Sequence, residues 1–182
     1  MLKRVLFTVC FCLSLLQGYA QELRDPNYYY ALSAVSQDAK DCYAKLFDIN
    51  SSARAFSILD SMFTVNKATQ PFYIYLACTM LPEATGELRA QLNIVCRHLI
   101  EQDPTALTNV LFSKNSLVKS RYRQYWAHRV GVEIRVTCES DPLDCFKRSR
   151  NRALSNCNEA SKDRLELLYN MIRQEMNLYR QR

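Results

Sequence analysis

The chain is short of the residues that make turns. Only 3 Gly and 5 Pro occur in 182 residues. A β-sandwich or barrel needs a turn every few residues, and most turn types draw on these two, so an all-β fold is excluded as an expectation. The same scarcity removes a Gly-rich phosphate loop. There are 2 His in all, His98 and His128, and no Cys-x-x-Cys pair, so no zinc-ligand spacing is present. His-Glu-x-x-His, Gly-x-Ser-x-Gly and a Walker lysine are missing as well. The longest early apolar run, Val5 to Leu16, would rise only about 18 Å as a helix, too little for a bilayer core of about 30 Å.

That run follows Met1-Leu2-Lys3-Arg4 and precedes Gln17-Gly18-Tyr19-Ala20. A basic start, a short apolar stretch and small residues before a cut read as a secretory signal peptide over residues 1–20, with Gln21 as the new N-terminus and residues 21–182 as one domain. Cleavage removes Cys10 and Cys12 from the 8 cysteines, leaving Cys42, Cys78, Cys96, Cys138, Cys145 and Cys157. It also takes Lys3 and Arg4 from a formal charge of +6. An even set of cysteines in an exported chain is expected to form disulfides. One pairing can be argued. If the chain reverses between two helices at Asp141-Pro142, Cys138 and Cys145 lie symmetrically about the turn and face each other. Cys42, Cys78, Cys96 and Cys157 are the other candidates, but all four fall on apolar helix faces, so buried thiols are their alternative.

What is abundant is hydrophobic periodicity of three and four, at 48% apolar residues. It predicts an all-α fold of six or seven helices, bundle-like and held by disulfides. The first helix is expected over 27–47, after Asp25-Pro26, and the second over 53–65. The third, 72–81, is apolar almost all round and should be central. The fourth covers 87–102 with Thr85 as its N-cap, and the fifth starts after Asp103-Pro104. Segment 116–137 carries two patterns. Val130, Val132, Ile134 and Val136 alternate as in a strand, yet no partner segment alternates likewise, so a helix is expected. Beyond Pro142 one long helix, or two joined near residues 156–158, should run toward the C-terminus.

No catalytic constellation emerges. Cys96 and His98 point apart on a helix, and His98 with Glu101 reads as a surface contact. Charge asymmetry is more informative. Residues 21–118 hold 8 Lys+Arg against 10 Asp+Glu, whereas residues 119–182 hold 14 against 8. Two clusters dominate: Lys119, Arg121, Arg123 and Arg129 interleaved with Tyr122, Tyr125 and Trp126, and Lys147, Arg148, Arg150 and Arg152. Basic residues among aromatics suit an acidic protein or an anionic surface rather than nucleic acid in an export compartment. The bland alternative is a solvated helix face with core aromatics. Tyr28-Tyr29-Tyr30 should leave at least one ring exposed, and Asn50-Ser51-Ser52 is a glycosylation sequon in an expected loop.

No residue pattern carries a resemblance to a known family. The expectation is a secreted or periplasmic, non-catalytic binding protein, monomeric or dimeric, without cofactor or metal and engaging an acidic partner. A carrier enclosing an apolar molecule against helix 72–81, and a hydrolase with an unrecognised carboxylate site, are the alternatives. Arg121, Arg123, Arg129, Lys147, Arg148, Arg150 and Arg152 are the candidate partner-binding residues.

Overall fold

The computed structural model describes residues 23–114 and 117–178. Segment 1–20, where a signal peptide is expected, lies outside them. Every regular element among the described residues is helical: α1 (Pro26–Tyr30), α2 (Gln37–Tyr43), α3 (Ala53–Asp60), α4 (Gln70–Met80), α5 (Gly86–Gln102), α6 (Pro104–Leu111), α7 (Arg121–Thr137), α8 (Pro142–Asn156) and α9 (Lys162–Leu178), with 3-10 turns at Ser61–Phe63 and Glu159–Ser161. The nine exceed the expected six or seven because both ends of the chain are more broken than their apolar stripes suggest.

At the N-terminal end the expected single helix over 27–47 is two. Asp25 caps α1 by accepting from the Asn27 N–H at 2.8 Å, and Pro26 starts it. Ser36 then caps a new helix, its hydroxyl accepting from Ala39 N–H, so the chain restarts there instead of continuing. The Ser36 N–H is held by the Tyr73 hydroxyl of α4 at 3.0 Å, which fixes the break to the core. At the other end, α8 and α9 are separate helices, joined through Cys157, Asn158 and the 3-10 turn.

Two later helices, α6 and α8, start where the sequence signals stood. Asp103-Pro104 and Asp141-Pro142 each supply an aspartate that accepts from the N–H three residues on and a proline in the first turn. Thr85 precedes α5 as expected, but its side chain makes no cap bond. Segment 121–137 is one helix: Val130 and Ile134 are buried while Val136 is exposed, a spacing of four that rules out alternation.

α4 is the central element. Apart from Thr79, every one of its residues is buried, against α2, α3, α6 and α7. Each large apolar side chain withdrawn from water there contributes about 1.5–3 kcal/mol. The most extensive packing is between α7 and α9. It passes over Gly131, where a Cβ would stand 3.4 Å from Met176 Cγ and 3.6 Å from the Ile172 carbonyl. Trp126 is fully buried beside α5 and donates from Nε1 to the Cys96 carbonyl at 3.3 Å. Of the three N-terminal tyrosines, Tyr29 is buried and stacked on Phe72, Tyr28 is half-buried, and Tyr30 is the exposed one.

Cys138 and Cys145 form a disulfide across the α7–α8 reversal, with Cα atoms 6.2 Å apart. The expectation of further bridges gives way. Cys42, Cys78, Cys96 and Cys157 are unpaired and buried, each serving as a small apolar side chain where it stands. Burial pushes all four thiols up, Cys42 to about 11, which keeps them protonated and unreactive.

Candidate functional site

The two basic clusters of the sequence meet different fates. On α8, Arg148 pairs with Asp144 one turn earlier on the same helix. Arg150 reaches Glu166 of α9, its Nε donating at 2.9 Å. Arg152 donates to Glu101 of α5 at 2.7 Å. Three of the four candidate residues in this cluster are therefore engaged within the molecule, and Lys147 is exposed beside them. Of the first cluster, Arg129 donates from Nη2 to the Leu81 carbonyl at 2.8 Å, and Arg123 lies over the Phe112 ring at 5.0 Å.

Glu101 is the residue that sequence reasoning misplaced. The expected surface contact with His98 does not form, since His98 packs against the Phe63 ring instead. Glu101 is only 5% exposed and bridges two guanidiniums, Arg97 at 3.0 Å and Arg152 at 2.7 Å. Burial alone would raise its carboxyl. Hydrogen bonds from Ser149 and Arg97, with the charges of Arg97 and Arg152, outweigh that and hold it below the ordinary range. Arg97 also donates to Thr137 Oγ1 at 2.6 Å and to Cys145 Sγ at 3.3 Å. The network thus ties the disulfide corner to α5. Every charged group in it is already satisfied, which marks it as a structural tie.

The open chemistry lies elsewhere, at a cleft of about 460 Å³ between segment 42–50, the end of α4 with the Pro82–Glu83 turn, and the start of α7. Its floor is Tyr75, Met80 and Tyr122, all buried, with Phe47 and Ile49 at the side. Its mouth carries Lys45, Lys119 and Arg121. Among the described residues none of these three makes an ion pair. Of the expected partner-binding residues Arg121 alone lines the cleft; Lys119 comes from the same cluster, and Lys45 was not singled out by sequence.

Two local features shape this mouth. α2 ends in a Schellman motif: Leu46 N–H bonds the Asp41 carbonyl at 2.9 Å and Lys45 N–H the Cys42 carbonyl at 3.0 Å. The motif needs a left-handed residue, ordinarily glycine, yet Lys45 occupies it at φ 57°. Asn50 closes the opposite corner. It is exposed, as a sequon must be, but its amide donates to the Glu83 carbonyl at 3.1 Å and accepts from the Thr85 N–H at 2.7 Å. It clasps the loop to the turn that leads into α5.

The tyrosines of the floor differ from the other buried ones. Tyr29 accepts from Arg24 N–H, Tyr73 from Ser36 N–H, and Tyr169 shares a bond with Ser149. Tyr75 and Tyr122 have no hydroxyl partner among the described residues, so their phenols remain free within the cleft. Burial, then the neighbouring phenols of Tyr122 and Tyr43, pushes Tyr75 up to about 12, so it is a donor at neutral pH.

A second cleft of about 370 Å³ shares Pro82 and holds His128, whose Nδ1 lies 3.1 Å from Glu175 Oε2. Arg129 and Tyr125 also line it. No serine, threonine or cysteine stands there for such a pair to activate. Among the described residues no cluster of three or more His, Cys, Asp or Glu is placed to hold a metal ion, and no helix is long and apolar enough to cross a membrane. Comparison of the chain with protein-family models, with curated proteins and with solved structures finds no match.

Proposed function

We propose that this is an exported, non-catalytic binding protein that takes an anionic group at the mouth of the Lys45–Lys119–Arg121 cleft. Export rests on the N-terminal signal-peptide pattern, and the Cys138–Cys145 bridge is compatible with it. The binding role rests on one observation above all: three cations converge on a concave site while the arginines of α8 are neutralised within the molecule. Guanidinium and ammonium groups recognise carboxylate, sulfate or phosphate through short charge-assisted hydrogen bonds, and Arg121 can do so bidentately.

The carrier reading gains one point and loses another. α4 does form a wall, through Tyr75, Thr79 and Met80. The rest of that helix is buried against its neighbours, as plain core would be.

Amide chemical shifts followed during titration with inorganic phosphate test the proposal. Saturable shifts confined to residues 45, 83 and 119–122, abolished in Lys119→Gln/Arg121→Gln, are expected. Shifts centred on 147–152, or none that saturate, would overturn it.

A further inference from the structure

The anion reading leaves open what the acid group is attached to, and the walls of the cleft bear on that. Its volume of about 460 Å³ lies in the range of sites for single small molecules. Its floor is made of two tyrosine rings and a methionine, a combination that gives flat apolar contact together with polarizable sulfur.

The charges are arranged by depth and by number. Lys45, Lys119 and Arg121 are exposed, whereas Tyr75, Met80 and Tyr122 are buried, so the cationic groups stand at the mouth and the apolar ones below. Two carboxylates, Asp48 and Glu83, also line the site. Three cations against two carboxylates leave a small positive excess. That suits one acid group and disfavours a polyphosphate, a sulfated polymer or a strongly acidic peptide, each of which would meet Asp48 and Glu83 as like charges. The free phenols of Tyr75 and Tyr122 offer two further donors to a polar substituent on the body of the ligand.

We infer that the cleft binds a single small aromatic monoanion, its ring system seated on Tyr75, Met80 and Tyr122 and its acid group held at Lys45, Lys119 and Arg121. This rests on the anion-binding role proposed above. It goes further by fixing the ligand as a small molecule with an apolar body rather than a macromolecular surface. The arginine serves both parts, since a guanidinium can stack on a ring face while its edge bonds a carboxylate or sulfonate.

The test uses 1-anilinonaphthalene-8-sulfonate, an aromatic monoanion whose fluorescence rises in an apolar site, with the full exported chain. Its uncharged analogue N-phenyl-1-naphthylamine supplies the body without the charge, and sodium sulfate the charge without the body. The expected result is saturable binding of one sulfonate probe per chain. Lys119→Gln/Arg121→Gln should weaken it about tenfold or more, and the uncharged analogue should bind weaker by a similar factor. These side chains are exposed, and an unchanged circular dichroism spectrum verifies the fold of the variant. Tyr122→Phe, which keeps the ring, should retain most of the affinity, whereas Tyr122→Ala should lose it.

Equal affinity for the uncharged analogue, or several probes per chain insensitive to the rim substitutions, would overturn the inference. So would displacement of the probe by sulfate as readily as by an aromatic acid. Failure here is separable from failure of the broader reading. Phosphate shifts at the rim without probe binding would refute the aromatic ligand and leave anion binding standing, while the absence of both would refute the two together.

Discussion

The basic segment of α8 and the rim of the 42–50 cleft carry the same kinds of side chain, and the structure sets the arginines of one apart from the cations of the other. Arg148, Arg150 and Arg152 each find a carboxylate, on α8 itself, on α9 and on α5. Lys45, Lys119 and Arg121 find none among the described residues, although Asp48 and Glu83 line the same cleft. A run of positive charge is therefore not one property. On α8 it fastens helices together, and at the cleft it remains available to something outside the molecule. Density along the sequence ranked the α8 run at least as high. What decides the matter is the position of acidic partners 16 and 51 residues away.

The comparison breaks most sharply at Glu101. If the α8 arginines are structural, removing their most buried partner should cost stability and leave the cleft untouched. Glu101→Gln leaves Arg97, itself only 22% exposed at the side chain, without its balancing charge. Losing one partner of a buried pair costs about 3–5 kcal/mol, and the 64% exposure of Arg152 lowers the expectation to about 2–3 kcal/mol. Urea unfolding should show a lower midpoint at an unchanged slope. The carboxyl is held below its ordinary range in the folded state, so its contribution is complete at neutral pH and fades as pH falls through that depressed value. Wild type should lose stability on acidification more steeply than Glu101→Gln. Parallel pH profiles, or a loss of probe binding at the cleft, would show that the two regions are not separate.

Replacing Lys147, Arg148 and Arg150 together by glutamine is a milder test. The Arg148–Asp144 and Arg150–Glu166 pairs are exposed by a third or more, and such pairs contribute about 0.3–1 kcal/mol each at most. No α8 residue lines the cleft, and salt screens charges beyond about 8–10 Å. A drop of about 1 kcal/mol, with affinity for an anionic probe and its salt dependence unchanged, is expected. If instead the triple variant lost as much affinity as the rim variant, the α8 run would be the binding surface and the cleft reading would fall.

How much of this was legible beforehand follows from the range of each interaction. The helices that begin at Asp103-Pro104 and Asp141-Pro142 were readable because cap and proline act within one turn, and the Cys138–Cys145 bridge because it spans only that reversal. The break between α1 and α2 was missed because an apolar stripe from Tyr28 to Leu46 continues across it. The Ser36 cap is a local sign of that break, and its anchoring to Tyr73 is not. At the cleft, Arg121 stood out as one of many basic residues, while Lys45 had no signal of its own. Its role comes from a helix end that folds beside the start of α7, more than seventy residues later in the chain.

Lys45 also supplies the finest test of the comparison, because its backbone and its side chain pull in opposite directions. A non-glycine residue in the left-handed region costs about 1–2 kcal/mol, and the Schellman end of α2 requires that region here. Lys45→Gly removes the strain but returns about 0.4–1 kcal/mol of disorder to the unfolded chain. The net expectation is a gain of about 0.5–1 kcal/mol in unfolding stability. The same change deletes one of the three cations at the mouth, so probe affinity should fall about threefold to tenfold. A lysine kept where glycine would be more stable is what a binding site would require, since strain of this kind is retained where the side chain has work to do. Stability and affinity moving apart in this single variant would tie the strained helix end to the ligand. If Lys45→Gly were more stable and bound the probe as tightly, Lys45 would be one more solvated charge, and the site would reduce to Lys119 and Arg121.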